Sequence, residues 1–314
     1  MLRGSRSNSP GVQPRTIQQQ QAQFDELLSA LHIPLPLSAD EKLTRLRDVP
    51  IAKLIDAQET LKLTEFRATT EDAFVSKNLM TNINNGDFGR RMKARGVKLM
   101  NGECRDEHAS YQGARTPSQS YEAVRTRLIA DYPAAVVDTL MQHYCHKSKS
   151  LPSKFKDWQH LFGHIYADMQ VHNLERGFHN RLQEAGLVMG KDLLRYRFDW
   201  RAGCVDSVFP PEQGVTHATD LAIWFWGLDF GSDGQGLSDA DKAVLKPWNK
   251  AFADFVKGVD PQWGTESVRE MKRLRSDGTT DVWLDDRWEA GLQVWNLVNA
   301  DSGKGLIGWI KARL

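Results

Sequence analysis

The sequence predicts an α/β fold in which a small, incomplete sheet is accompanied by many helices. Two segments have the character of strands: residues 96–102 alternate before ending on glycine, and residues 193–200 read LLRYRFDW. Strands of this kind are normally buried on both faces and paired with neighbours. Apolar residues recur at helical spacing elsewhere, most clearly over residues 118–144 and 158–187.

Capping residues and prolines predict several helix boundaries. A glutamine-rich segment leads into an amphipathic helix, and Ser38 begins a capping box that starts the next one. Pro50 opens a third helix, because proline is tolerated in the first helical turn. A later helix is predicted to run from a cap at Ser238 to Gly258.

Length and composition limit the possible classes of protein. With 314 residues and 40% hydrophobic content, the chain can bury a substantial core. We expect an irregular segment over residues 1–16 and a domain over residues 17–314. Because 41 basic residues balance 40 acidic ones, no broad attraction to nucleic acid is expected. No apolar run approaches the roughly 18 residues of a membrane span.

The cysteines indicate neither a disulfide framework nor a zinc site. Cys104, Cys145 and Cys204 are odd in number and widely spaced. This usage is compatible with a reducing compartment such as the cytoplasm. The sequence does not otherwise indicate a location.

Each predicted strand is followed by a polar cluster. Asp106 and Glu107 follow the first strand, and His217 follows the second. Ligands of open α/β sheets bind outside the carboxyl ends of the strands, so these clusters are expected at one edge. A carboxylate can orient an imidazole and stabilise the imidazolium that forms when the ring takes a proton. Either carboxylate could serve as that acid.

The chain contains no obvious nucleophile for such a pair. An α/β-hydrolase places its serine in Gly-x-Ser-x-Gly, and this pentapeptide is absent. The nearest match, residues 236–240, is better interpreted as a helix cap. Cys104 and Cys204 flank the polar clusters in sequence, but neither lies in a nucleophile-elbow context.

Three sequence motifs, taken in order, resemble a known family. Residues 102–108 read GECRDEH, and residues 214–217 read GVTH with Asp220 three positions later. A tail segment around Trp248 and Phe252 follows. The order and spacing resemble the C-terminal part of a type-B carboxylesterase, the family of cholinesterases and fungal lipases and esterases. The resemblance extends from about residue 9 to residue 298.

The resemblance implies an α/β-hydrolase fold and hydrolysis of a small-molecule carboxylic ester. Glu107 would be the acid and His217 the general base, with no metal or organic cofactor. His108 and Ala218 each replace a glycine that is usual in the family.

The family's serine and oxyanion loop belong to an N-terminal half, so we expect this chain to be a fragment. It would then be almost inactive alone and poorly soluble or loosely packed, and a separate N-terminal half is a candidate partner. Two alternatives remain open: a non-catalytic binding protein on a cholinesterase-like scaffold, or one half of a split esterase.

A second group of polar residues recurs along one predicted helix. His160, His164, Asp168 and His172 are spaced four residues apart, and both side-chain types bind divalent ions. Because such a stripe drifts by about 40° per step, a polar helix face or cavity lining is favoured over a metal site. Residues 224–226, WFW, are expected in the core or in an acyl pocket.

Overall fold

A computed structural model describes residues 2–4, 10–12, 14–64, 66–113, 116–117, 119–226 and 236–300. Its centre is a five-stranded sheet with the strand order β1-β4-β5-β6-β7, and β2 and β3 form a separate parallel pair. The strands are β1 (Leu2–Gly4), β2 (Arg15–Thr16), β3 (Thr69–Thr70), β4 (Lys98–Cys104), β5 (Leu193–Phe198), β6 (Glu270–Leu274) and β7 (Thr280–Leu284). Strands β1, β4, β5 and β6 are parallel, and β7 is antiparallel to β6.

Helices surround this sheet. They are α1 (Ile17–Ala30), α2 (Ala39–Arg47), α3 (Ile51–Glu59), α4 (Leu79–Asn84), α5 (Asp87–Ala94), α6 (Glu107–Gln112), α7 (Tyr121–Ile129), α8 (Ala134–Cys145), α9 (Trp158–Ala167), α10 (Asn173–Glu184), α11 (Leu221–Trp224), α12 (Asp239–Lys257) and α13 (Trp288–Val298). A π-helical turn, Asp168–His172, joins α9 to α10.

The predicted α/β class is confirmed, and both predicted strands are present. The helical spacing predicted within 118–144 corresponds to two helices, α7 and α8, and Pro133 is the N-cap of α8. The capping boxes at Ser38 and Ser238 are formed. Strands β6 and β7 were missed in the sequence, although the Asp-Gly pair at 277–278 between them is a turn signal. Residues 1–16 contain the short strands β1 and β2.

The central strands β4 and β5 are buried on both faces, and their side chains alternate between two cores. Leu99 and Leu193 face a core that includes residues of α8, α9, α10 and α13. Their neighbours Met100 and Leu194 face a second core that includes residues of α11 and α12. The parallel register pairs Cys104 with Phe198, so β4 and β5 end at the same edge and their following loops meet there.

A buried ionic network lies between the sheet and α10. Nη1 of Arg176 lies 2.8 Å from Oε2 of Glu103, and Nε of Arg195 lies 2.7 Å from Oε1 of Glu175. Nη2 of Arg195 also donates to Oδ2 of Asp285 at 2.9 Å. Buried charges persist only when they are paired and hydrogen-bonded. The network therefore fixes α10 against β4 and β5 at one relative position.

Candidate active site

Glu107 is held at the start of α6, three residues beyond the end of β4. Its side chain is fully buried, at 0% exposure. One carboxylate oxygen, Oε1, accepts a hydrogen bond from the backbone N–H of Cys104 at 2.9 Å. The second oxygen is left to face the loop that follows β5.

Asp106 holds the histidine-bearing loop against the end of β4. Its Oδ2 accepts from the Val215 N–H at 2.9 Å, and its own N–H donates to the Val215 carbonyl at 2.9 Å. Gly214 has φ +64°, and a Cβ there would lie 2.2 Å from Oδ2 of Asp106. Only glycine therefore fits this point of closest approach.

The residues around His217 fix its backbone. Oγ1 of Thr216 is buried and accepts from the Ser110 N–H on α6 at 3.0 Å. The hydroxyl of Thr219 donates to the Thr216 carbonyl at 2.7 Å. Ala218 adopts φ +72°, a left-handed conformation that is strained for a residue with a Cβ. The tight turn at 218 thus directs the imidazole of His217 back toward α6.

The two loops bring an acid and a histidine into contact. Oε2 of Glu107 lies 2.7 Å from Nδ1 of His217, although 110 residues separate them. The imidazole side chain remains 36% exposed. Burial alone would lower the pKa of His217, but the hydrogen bond and charge of Glu107, with a contribution from Asp220, raise it. Within the described residues, Nε2 of His217 has no hydrogen-bond partner.

Two curated proteins whose names describe esterases are similar to this chain. No family model matches the chain. A "carboxylic ester hydrolase" of Gibberella moniliformis is 50% identical over 294 residues, which cover 94% of this chain and 53% of that protein. An "uncharacterized esterase/lipase" of Schizosaccharomyces pombe is 34% identical over 298 residues, covering 93% and 53%. This chain is related to carboxylic ester hydrolases. It spans about half the length of these curated relatives.

Solved esterases share its fold. A thermophilic PNB esterase superimposes with a TM-score of 0.61 at 17% identity, covering 93% of this chain and 56% of that one. A carboxylesterase of Geobacillus stearothermophilus gives a TM-score of 0.57 at 15% identity, covering 93% and 57%. The fold is thus part of an α/β-hydrolase fold. Among its described helices, none is both long and apolar enough to cross a membrane.

Several other candidate site residues of this chain make their contacts elsewhere. Asp106 contacts Val215 rather than the imidazole. Oδ2 of Asp220 accepts from the indole N–H of Trp224 at 3.1 Å, and Trp224 packs in the core. Burial raises the pKa of Cys104, and the nearby charges of Asp220 and Glu107 add to this, so its sulfur stays a thiol. The pKa of Cys204 is also raised by burial.

The four polar residues spaced four apart on the predicted helix do not all contact one another. Nε2 of His160 and Nε2 of His164 lie 3.0 Å apart. In the π-helical turn, however, Asp168 accepts a hydrogen bond from the hydroxyl of Tyr144, and Nδ1 of His172 lies 2.7 Å from Oε2 of Glu103. The π-turn changes the residue spacing, so the four side chains do not converge.

His108, which the sequence analysis did not connect with these residues, packs against His160 and His164. The ring of His108 stacks on that of His164, with centroids 4.1 Å apart and planes 13° apart. Because His108 belongs to α6 and the other two histidines to α9, only the packing of the two helices brings the three together. The available signal was its position directly after Glu107.

Proposed function

We propose that this chain carries the acid and the histidine of a serine-type carboxylic ester hydrolase. One observation carries the proposal: the 2.7 Å contact between Oε2 of Glu107 and Nδ1 of His217, with the other ring nitrogen directed away from the acid. An acid that holds Nδ1–H fixes the tautomer in which Nε2 can accept a proton. The esterase names of the two curated relatives support the choice of reaction.

In this scheme His217 moves protons and Glu107 orients it. Nε2 of His217 takes the proton of a serine hydroxyl as its oxygen attacks the ester carbonyl, and gives that proton to the departing alcohol. The resulting acyl-serine is cleaved by water, whose proton passes to Nε2 and then back to the serine oxygen. The carboxylate of Glu107 stabilises the imidazolium at both stages.

The serine is proposed to come from polypeptide outside this sequence. The 314 residues contain no Gly-x-Ser-x-Gly, and neither Cys104 nor Cys204 lies in a nucleophile-elbow context. Since catalytic groups act as a unit, loss of the nucleophile removes most of the rate that the pair could support. The chain alone should therefore hydrolyse esters very slowly.

Complementation tests this arrangement directly. This chain would be produced together with the part of the Gibberella moniliformis relative that it does not match, and hydrolysis of p-nitrophenyl acetate would be measured. We expect activity to require both polypeptides and a fluorophosphonate probe to label only the added one. Glu107→Gln and His217→Gln should each reduce kcat by at least about 10³-fold.

Asp239→Asn, at a fully exposed side chain, is the matched control and should leave activity unchanged. If a stable complex forms and stays inactive, or if both site variants retain full activity, the catalytic proposal is wrong. A chain that binds esters without hydrolysing them in that complex would instead indicate a non-catalytic binding protein.

A further inference from the structure

We propose that the histidine triplet of His108, His160 and His164 binds one Zn²⁺-class transition-metal ion and thereby links α6 to α9. This site is separate from the Glu107–His217 pair and does not depend on ester hydrolysis. Its three imidazoles each offer one nitrogen, and the three atoms all lie within 4.8 Å of one another.

The spacing of the nitrogens is close to what a metal requires. In a tetrahedral zinc site with Zn–N bonds of about 2.0–2.1 Å, ligand nitrogens lie about 3.3 Å apart. The two helical neighbours, Nε2 of His160 and Nε2 of His164, are already 3.0 Å apart. The ring of His108 has to rotate out of its stack on His164 so that its nitrogen moves closer to the other two and completes the set.

Backbone packing holds the triplet together. Gly163 lies between the two α9 histidines, and a Cβ there would come within 2.6 Å of the His108 carbonyl oxygen. The glycine therefore lets α6 approach α9 at this point. The side chain of Asp157 caps α9 by accepting from the His160 N–H at 2.8 Å, which fixes the first turn.

The surroundings of two of the three imidazoles favour the neutral form that a metal binds. Burial, together with the neighbouring imidazoles, lowers the pKa of His164 to about 3, so this ring is neutral at pH 7. Burial also lowers the pKa of His108, against the opposing charge of Asp106. Neutral imidazoles are the form that binds Zn²⁺, Cu²⁺ and Ni²⁺.

Without a metal, the ring proton of His160 lies between His160 and His164. Nδ1 of His160 accepts from the Lys156 N–H at 3.2 Å, which leaves its proton on Nε2, facing His164. An ion bound at Nε2 of His160 shifts that proton to Nδ1, and the hydrogen bond from Lys156 is lost. The Nδ1–H then faces the Lys156 N–H, so these two donors have to move apart, and the metal–nitrogen bond has to offset that movement as well as the lost hydrogen bond.

The surroundings allow an ion to enter and leave a coordination position for solvent. All three histidine side chains are partly exposed, and Phe155 forms an apolar wall 5.5 Å from the ring of His164. Three protein ligands with an open fourth position is a common arrangement for zinc. Because His108 directly follows Glu107 on α6, an ion here also restrains the helix that carries the proposed acid.

Metal titration of the full chain tests the proposal. Isothermal titration with ZnCl₂ should give one site per chain, and each of His108→Ala, His160→Ala and His164→Ala should weaken binding by more than about 100-fold. His32→Asn is the matched control, because this exposed histidine has a positive φ that asparagine tolerates. Zn²⁺ at 100 times its Kd should raise Tm by roughly 4 °C in the wild-type and control chains only.

A second measurement needs no variant and so covers the case in which a substitution prevents folding. Zn²⁺ should protect His108, His160 and His164 from diethyl pyrocarbonate in the wild-type chain, while exposed His32 and His146 stay reactive, as read by peptide mass spectrometry. Equal modification of the triplet with and without Zn²⁺, or unchanged Zn²⁺ affinity in all three folded alanine variants, would overturn the proposal.

Discussion

Oε2 of Glu107 and Nδ1 of His217 lie 2.7 Å apart across a separation of 110 residues. Two independent supports converge on this contact. The backbone N–H of Cys104 fixes the carboxylate, and Asp106 fixes the loop through Val215. Neighbouring backbone groups therefore support the geometry of the pair in addition to its own hydrogen bond.

The titration of His217 should report this contact. Because Glu107 raises the pKa of the ring against the effect of burial, we expect a value above the 6.5 of a free imidazole in the wild-type chain. Glu107→Gln removes the charge and leaves the burial, so the pKa should fall. Two-dimensional NMR of the histidine ring resonances measures both values; an equal or higher pKa in the variant would show that the pair does not form.

The same shift predicts how the pair contributes to stability. The folded pKa lies above the unfolded one, so its stabilising effect is full below about pH 6.5 and is lost as pH rises through the folded pKa. The difference in Tm between the wild-type chain and Glu107→Gln should accordingly be larger at pH 5.5 than at pH 8.5. A difference that grows toward alkaline pH would contradict this sign.

Gly214→Ala should be strongly destabilising. Alanine at φ +64° is strained, and its Cβ would overlap Oδ2 of Asp106. We expect a loss of about 2–4 kcal/mol in the free energy of unfolding, measured by urea denaturation. Gly203→Ala is the matched control, because a Cβ there meets nothing within 4 Å, and it should be nearly neutral.

Ala218→Gly should stabilise the chain. The left-handed φ of +72° carries a steric cost that glycine does not have. The gain should be about 1 kcal/mol, or roughly 2 °C in Tm for a chain of this length. Ala94→Gly makes the same chemical change at the exposed end of α5 and should lower stability instead. Destabilisation by both substitutions would mean that residue 218 is not strained.

Asp285→Asn should disrupt the buried ionic network. Burial alone would raise the pKa of Asp285, but Arg176 and Arg195 lower it, so the carboxylate is charged and paired with both. Removing its charge leaves two buried guanidinium groups undercompensated, at a cost of about 3–5 kcal/mol. Asp239→Asn, at the exposed pair with Lys242, should leave the denaturation midpoint unchanged.

The network also has a predictable response to acid. Because the folded pKa of Asp285 is lowered, its contribution is present above the unfolded pKa of about 3.9 and is lost as pH falls through the folded value. The difference between wild type and Asp285→Asn should therefore persist at pH 5. Its disappearance at that pH would show that the carboxylate is not held ionised.

Local sequence determined much of the fold. Ser38 and Ser238 begin capping boxes in which the serine side chain accepts from a backbone N–H at the start of its own helix. Because these hydrogen bonds are local, they can be predicted without knowing any distant contact. The same applies to the strand pattern of residues 193–200. Strands β6 and β7 were missed because they are amphipathic or partly exposed, and weak alternation gives little signal without its partner strand.

The sequence by itself determined the α/β class, and it predicted that Asp106, Glu107 and His217 follow strands that end at one edge of the sheet. Only the tertiary structure decided that Asp106 clamps the histidine loop, that His172 pairs with Glu103, and that His108 joins His160 and His164. The physical reason is that periodicity within one element fixes which residues share a face. Contacts between α6, α9 and the sheet depend on how closely whole elements approach, as at Gly163 and Gly214.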